Sequence, residues 1–529
     1  MLLGYLSNQR YEPVPDALVE IRSDSGELVL ATTTTASGAI WGELSPGRYQ
    51  VVLAAEGYCS RRSQLQVPQE VPKAFRILSR ELTGYVWPKW VRCGQQAEFR
   101  VHSTRAYHLS LWRYGLEKEL VRPLGWFDEH APGSEVQLVP DGDWTQQGLR
   151  WNRIGYDSPV QPQRVTAPER PGLYYFHARS EAEEEFSFPW IVAPREPQAP
   201  VAVLLENLTW NAYNNFGGRS NYVHPEGLPA VPPVHARSEV AYYTRQPRTR
   251  YTVEEYPGLS LDRPEPMNHV PLAAQAWEPI PGRNACHLAP TQWRLLAWLQ
   301  RQGVPYDTWA ETQLHAGELP LERYRVLILG PHPEYWTRQM YHRVKHWVQH
   351  EGGRLMYLGG NGINCEVELS DDLSLMRVFN GDQRRQQAEG VPSRFADRVE
   401  PEAALLGVMY DTRGVMTAAP YRVVEAGHWV FQDTGLKEGE PFGHHTLHER
   451  IPGGASGHET DKRCEHSPPG TLLLAKGTNP DEGGAEMTLY HTPSGGAVFA
   501  AGSITYPAAL LVDRHISQVT WNVLRRFLA

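Results

Sequence analysis

The chain has 529 residues, 51 basic and 60 acidic side chains for a net charge of −9, and 41% hydrophobic residues. That length suits about three to four domains with ample core, and an acidic balance excludes a nucleic-acid partner, because the basic residues reach only three arginines between Arg245 and Arg250 and the pair Arg384-Arg385. No apolar run reaches the ~18 residues of a membrane-spanning helix, and five scattered cysteines (Cys59, Cys93, Cys286, Cys365, Cys464) lack zinc spacing, as expected of reduced thiols in a cytoplasmic protein with no membrane partner.

Residues 1–80 read as β, because "ALVEIRS", "LVLATTTT" and "RYQVVLAA" alternate or are β-branched between Gly and Pro turns. Met1 to Arg10 has neither the basic start nor the long apolar stretch of a signal peptide. The stretch "TTTTASGAIWGELSPGRYQVVLAAEGY", with Gly38 in a turn, Pro46-Gly47 before a strand and Gly57-Tyr58 after it, resembles the carboxypeptidase-regulatory, transthyretin-like sandwich. Residues 82–195 supply a second expected β-sandwich through "QAEFRVHS", "HLSLWRYG", "GLYYFHARS" and "FSFPWIVAP", and "PREPQAP" reads as a linker.

From residue 199 to 529 the pattern changes to α/β. "VAVLLE", "YRVLILG" and "RLMYLGGNG" are short apolar runs of the kind buried on both faces of a parallel sheet. Between them, "APTQWRLLAWLQRQG" and "TRQMYHRVKHWVQHEGG" have helical spacing and end on Gly303 and Gly352-Gly353. "GGAVFAAGSI" and "ISQVTWNVLRRFLA" repeat the strand-then-helix logic at the end. The expected fold is therefore multidomain: two N-terminal β-sandwiches, then a mostly parallel α/β domain of glutamine-amidotransferase-like type.

Ligands of open parallel sheets collect beyond the carboxyl ends of the strands. After "VAVLL" come Glu206, Asn207, Thr209, Trp210, Asn211, Tyr213 and Asn214, then Gly217-Gly218; after "RVLILG" come His332, Pro333 and Glu334; after "RLMYL" come Gly359, Gly360, Asn361 and Gly362. His332 and Glu334 suit either a metal carboxylate beside a general base or a helix start that Thr337 caps. "TWNAYNNFGGRSNY" suits either an ordered loop or a ligand-approaching turn, in which Gly217-Gly218 let backbone come close. Tyr213 gains chemistry only if it meets Glu334, since a phenol of pKa near 10 ionises at neutral pH only beside a strong cation. "GHHTLHE" and "GHETDKRCEH" lack HExxH spacing and read as polar surface loops. A GxSxG elbow is absent, and Cys365 is an unconvincing nucleophile beside Glu366.

"TWNAYNNFGGRSNY", "LDRP" (261–264), "HPEYW" (332–336), "GGRLMYLGGNG" (352–362), "GHETD" and "GGAVFAAGSITY" occur in an order that resembles the catalytic domain of the N,N-dimethylformamidase β subunit over residues 199–529. The resemblance implies a mononuclear Fe(3+) site, one per chain, held by two tyrosines and a glutamate and hydrolysing a small-molecule amide. By motif, Tyr213 and Glu334 are ligands, His332 is the neighbouring catalytic residue, and Asn361 and Glu459 belong to the site. Tyr222, Tyr251 and Tyr256 are candidates for the second tyrosine, of which Tyr256 is chosen. Relatives often carry an aromatic after "DRP", where this chain has Glu265. The family enzyme has a small companion subunit, and the partner expected here is either such a subunit or a second copy in a homo-oligomer. The competing reading is a non-enzymatic binding protein, with an inactive α/β domain and β modules for a glycan or a protein.

Overall fold

The computed structural model describes residues 1–127, 139–150, 163–218, 220–221, 258–280, 287–379 and 394–529. It is multidomain and strand-rich, with few helices. Near the N-terminus a three-stranded sheet (Ala39–Trp41, Leu2–Ser7, Lys73–Arg76) faces a four-stranded one (Leu28–Thr33, Leu18–Ser23, Gly47–Ala54, Arg61–Val67). Alternation places Val19, Ile21, Val51 and Leu53 in the core they share.

A second pair of sheets follows. One runs Arg164–Thr166, Gln96–His102, Thr83–Trp87; the other runs Glu119–Phe127, Tyr107–Tyr114, Gly172–Ser180, Glu185–Ala193, Trp90–Arg92. The strand Gly172–Ser180 is apolar on both faces for a reason the sequence alone does not show. Tyr174, Phe176 and Ala178 fill the sandwich core, while Leu173 and Tyr175 join the core of the α/β region. Tyr114 stacks on Tyr175 at 4.2 Å and meets Trp293 at 4.7 Å, and Trp293 Nε1 donates to the Gly115 carbonyl at 2.7 Å. This sheet is thus the floor on which the α/β region packs, an apolar junction rather than a loose tether.

The remaining large sheet has nine strands. Asp307–Ala310, Val201–Leu205, Val326–Leu329, Arg354–Tyr357 and Ala497–Ala500 pair in parallel. Glu486–His491, Leu472–Gly477, Tyr421–Val423 and Pro441–Phe442 then extend the sheet antiparallel. The expected strands and helices are present, but the antiparallel half has no counterpart in the sequence reading. Its strands are short and separated by polar turns, so no long period marks them. Two further departures concern loops. Residues Asn207–Tyr213 form a helix rather than an ordered loop. Gly217 and Gly218 face protein, not a ligand: at φ +92 and +100, a Cβ would meet the Thr145 nitrogen at 2.7 Å and Tyr11 Cβ at 2.2 Å.

The last helix, Arg514–Leu528, packs Ile516, Val519, Val523, Leu524 and Phe527 on the sheet. Asp513 caps it, Oδ1 accepting from the amides of His515 at 3.0 Å and Ile516 at 3.1 Å. Asp513→Ala should therefore cost about 1 kcal/mol, seen as earlier urea unfolding of this region with the overall cooperativity kept; an unchanged midpoint would show the cap to be redundant.

Candidate active site

Three successive parallel strands deliver the site residues at their carboxyl ends. Val201–Leu205 leads through Glu206 into the helix Asn207–Tyr213, whose last residue is Tyr213. Val326–Leu329 leads to His332 and Glu334, and Arg354–Tyr357 leads to Asn361. Glu459 arrives from a separate segment, before the strand Thr460–Lys462.

These residues meet. Tyr213 Oη lies 3.1 Å from His332 Nε2 and 3.2 Å from Glu334 Oε2. His332 Nε2 lies 2.9 Å from Glu334 Oε2 and 3.9 Å from Glu459 Oε2. Asn361 Nδ2 donates to Glu459 Oε2 at 2.8 Å. Tyr222, Tyr251 and Tyr256 lie outside the described residues.

Buried supports hold this geometry. His332 Nδ1 is 2.9 Å from the Gly360 carbonyl, which can only accept, so Nδ1 carries the proton and Nε2 faces Tyr213 and Glu334. The His332 amide donates to both oxygens of Glu206 at 3.1 Å. Thr209 Oγ1 donates to the His332 carbonyl at 3.0 Å and accepts the Glu334 amide at 3.2 Å. Thr337 caps the next helix through the Met340 amide, so the capping role belongs to Thr337 and leaves the Glu334 side chain to the site. Asn361 has φ +49, a left-handed conformation that Asn tolerates. Asp461 sets it by accepting from the Asn361 amide at 2.8 Å and from Tyr357 Oη at 2.7 Å.

Burial raises the carboxyl of Glu206 to about 8, although the nearby His332 works the other way. It also raises Glu459, with Glu334 adding to the effect against His332. For His332, burial opposes the charge, but Glu334 and then Glu459 outweigh it and lift the imidazole to about 9 in the metal-free protein. The Cys365 thiol is pushed well up by burial and then by Glu334, whose Oε1 it contacts at 3.8 Å. That disfavours a thiolate, and the cause is burial and Glu334 rather than the neighbouring Glu366.

Several site residues were not legible in the sequence. The His-rich segments are surface loops only in part: His444, His445 and His466 are exposed, but His448, His458 and Asp461 are buried. His287 packs edge-on against Tyr213, ring centroids 4.4 Å apart. Nothing in "NACHLAP" distinguishes that histidine from an ordinary one. Arg263 of "LDRP" is fully buried and ties the loop after Tyr213 to its base. Glu265 faces away from this chemistry: it accepts from Lys89 Nζ at 2.6 Å in a buried ion pair and from Asn268 at 3.0 Å.

Phenol and carboxylate oxygens from Tyr213 and Glu334 are hard donors of the kind a trivalent cation takes. Among the described residues, no group of three or more His, Cys, Asp or Glu is arranged for a metal ion, so a metal here requires tyrosine oxygen. The residues present fit such a group. The four described cysteines form no disulfide among the described residues, and among those residues no helix is long and apolar enough to cross a membrane.

Residues 159–518 match the family profile described as N,N-dimethylformamidase beta subunit-like, C-terminal. The chain is 26% identical over 423 residues to the N,N-dimethylformamidase beta subunit of Alcaligenes sp, covering 69% of this chain and 53% of that one. It is 27% identical over 287 residues to the beta subunit of the same name from Paracoccus aminophilus, covering 45% and 37%. The chain thus spans about half the length, or less, of these curated relatives. Among solved structures, the major pilin subunit of Bacillus cereus aligns at TM-score 0.14 and 10% identity over 38% of this chain and 71% of that one, a likeness that carries no argument.

Proposed function

We propose that this chain, which belongs to the N,N-dimethylformamidase beta subunit-like family, hydrolyses a small amide or related non-peptide C–N bond at a site where Tyr213, Glu334 and a second tyrosine hold a ferric ion. The observation that carries the reading is the convergence of Tyr213 Oη, His332 Nε2 and Glu334 Oε2 within 2.9–3.2 Å of one another. They come from two strand ends, in a buried setting where such polar atoms need a purpose. Among the tyrosine candidates Tyr256 remains the choice for the third donor. A glutamine-amidotransferase-like relationship for the parallel half of the sheet belongs to the same proposal.

A ferric ion in this donor set supplies Lewis-acid polarisation of the amide or of water. The chain's own residues do the rest. His332, its Nδ1–H held by Gly360, presents Nε2 to the attacking water, and would accept its proton once the Glu334 charge that keeps the imidazole protonated in the metal-free protein is taken up by a bound cation. Glu459 holds a proton in its raised carboxyl and is oriented by Asn361; it delivers that proton to the departing nitrogen, which cannot leave as an amide anion. The buried carboxyls of Glu206, Glu311 and Asp461 accept from the amides of His332, Leu208 and Asn361 and so hold the segments after the strands in place.

Elemental analysis and a visible spectrum of the purified chain test the reading. About one iron per chain and a phenolate-to-iron charge-transfer band are expected, with formate released from N,N-dimethylformamide or from a related amide. A folded, colourless, iron-free chain counts against it. Glu459→Gln keeps an acceptor for Asn361 but has no proton to give, so kcat should fall about 10²-fold with KM little changed; a kcat within threefold of the parent would remove Glu459 from the mechanism. The names of both relatives describe a subunit, which supports a companion chain here, checked by co-purification from the native source.

A further inference from the structure

Three histidines that the hydrolysis does not use close one side of the site. His287 is 1% exposed and packs edge-on against His332 at 5.4 Å and His458 at 5.2 Å. Among the described residues, neither of its ring nitrogens has a hydrogen-bond partner, and buried polar groups without one call for a polar ligand or a functional reason.

His458 and His448 add a direction. The backbone N–H of Ile451 lies 3.2 Å from His448 Nδ1. An N–H only donates, so His448 Nδ1 accepts and the ring's single proton sits on Nε2. That Nε2–H lies 3.1 Å from His458 Nδ1, which in turn must accept. The proton of His458 is thereby confined to its Nε2, for which no described residue provides an acceptor. The backbone holds this ring in an uncommon state: His458 has φ +66, fixed by its amide to the Thr417 carbonyl at 2.9 Å and by the Met416 amide to its carbonyl at 2.7 Å. Such conformations persist where surrounding structure imposes them.

The site then has two chemical faces. The carboxyl of Glu459 delivers a proton, while His458 is a neutral donor one residue away. A small amide matches that division, with a nitrogen that takes a proton and an oxygen that only accepts. We propose that His458 Nε2–H is a catalytic hydrogen-bond donor to the acyl oxygen of the substrate, its tautomer set by His448 as a positioning residue. This rests on the amide-hydrolase reading above. A preset donor gains strength as the acyl oxygen acquires charge in the tetrahedral stage, and costs no reorganisation then.

The test uses the full chain with 15N-labelled histidine, long-range proton–nitrogen correlation spectra, and formamide as the probe. His458, assigned by its loss in His458→Phe, should be protonated on Nε2, and formamide should move that resonance. His448→Leu should transfer the proton to Nδ1, while His448→Gln, whose amide can donate to His458 Nδ1, should restore the native tautomer. In the iron-loaded enzyme, His458→Phe and His448→Leu should lower kcat about 10²-fold with KM little changed and iron content unaltered, and His448→Gln should recover most of it. A wild-type His458 protonated on Nδ1, an Nε2 resonance unmoved by saturating formamide, or full activity in His458→Phe overturns the inference. Absence of turnover by the iron-loaded parent instead sinks the amidase reading, and the tautomer and formamide measurements still decide this one.

Discussion

Glu334→Gln should fold as the parent does and lose amide hydrolysis by about 10³-fold or more, because even a residue that merely supports a metal ligand is worth 10–100-fold in metal affinity or activity. The substitution is isosteric, and the surroundings favour its folding: the main chain at Glu334 is held by Thr209 and by the Cys365 amide, not by the carboxylate. What disappears is the anionic oxygen facing Tyr213 Oη and His332 Nε2. Tyr213→Phe is the partner experiment. It removes one phenol oxygen and leaves the ring packed on His287, so the charge-transfer colour should weaken or vanish while the fold persists. If Glu334→Gln retains iron and rate, or if Tyr213→Phe keeps both colour and activity, the oxygen donors are elsewhere and the hydrolase reading falls with them.

How far the sequence leads depends on what each residue's signal is made of. "VAVLL", "RVLIL" and "RLMY" are recognisable because a strand covered on both faces must be apolar throughout, and their carboxyl ends place Tyr213, His332, Glu334 and Asn361 among many other polar residues, from which only the family resemblance picks them out. Gly172–Ser180 shows the limit: its continuous apolar run reports burial on two sides, but not that one side is another region of the chain. His448 and His458 show another limit. Surrounded in sequence by Gly, Glu, Thr and Asp, they carry the composition of a solvated loop, and only the path of the chain buries them. Gly217 and Gly218 have a visible permissiveness, but which atoms approach them, here Thr145 and Tyr11, is a long-range fact. "LDRP" marks kinship in sequence; its physical role appears only once the hydrogen bonds of Arg263 are traced.

Those bonds make Arg263 the residue whose loss should most disturb the site without touching it. The guanidinium is fully buried. Nε donates to the Ser260 carbonyl at 2.7 Å, Nη1 to the carbonyls of Asn214 at 3.0 Å and of Phe216, and Nη2 to Asn211 Oδ1 at 3.2 Å. All of these acceptors except Ser260 belong to the end of the helix that presents Tyr213 and to the turn just beyond it. Neighbouring contacts continue the brace: the Gly217 amide reaches the Gln9 carbonyl, and Arg76 Nη2 reaches the Gly217 carbonyl, both at 2.6 Å, so the N-terminal sandwich holds the far side of the same turn. Arg263→Met would fill the volume but strand several buried carbonyls, each costing about 1–3 kcal/mol. Arg263→Lys restores charge but not the planar fork that serves four acceptors at once. Both variants should therefore lose amide protection across residues 207–218 in hydrogen exchange, with colour and hydrolysis falling together, while the strands of the first sandwich exchange as before. Normal protection of that segment in Arg263→Met, with full activity, would mean that the brace is dispensable and that Tyr213 is held by its helix alone.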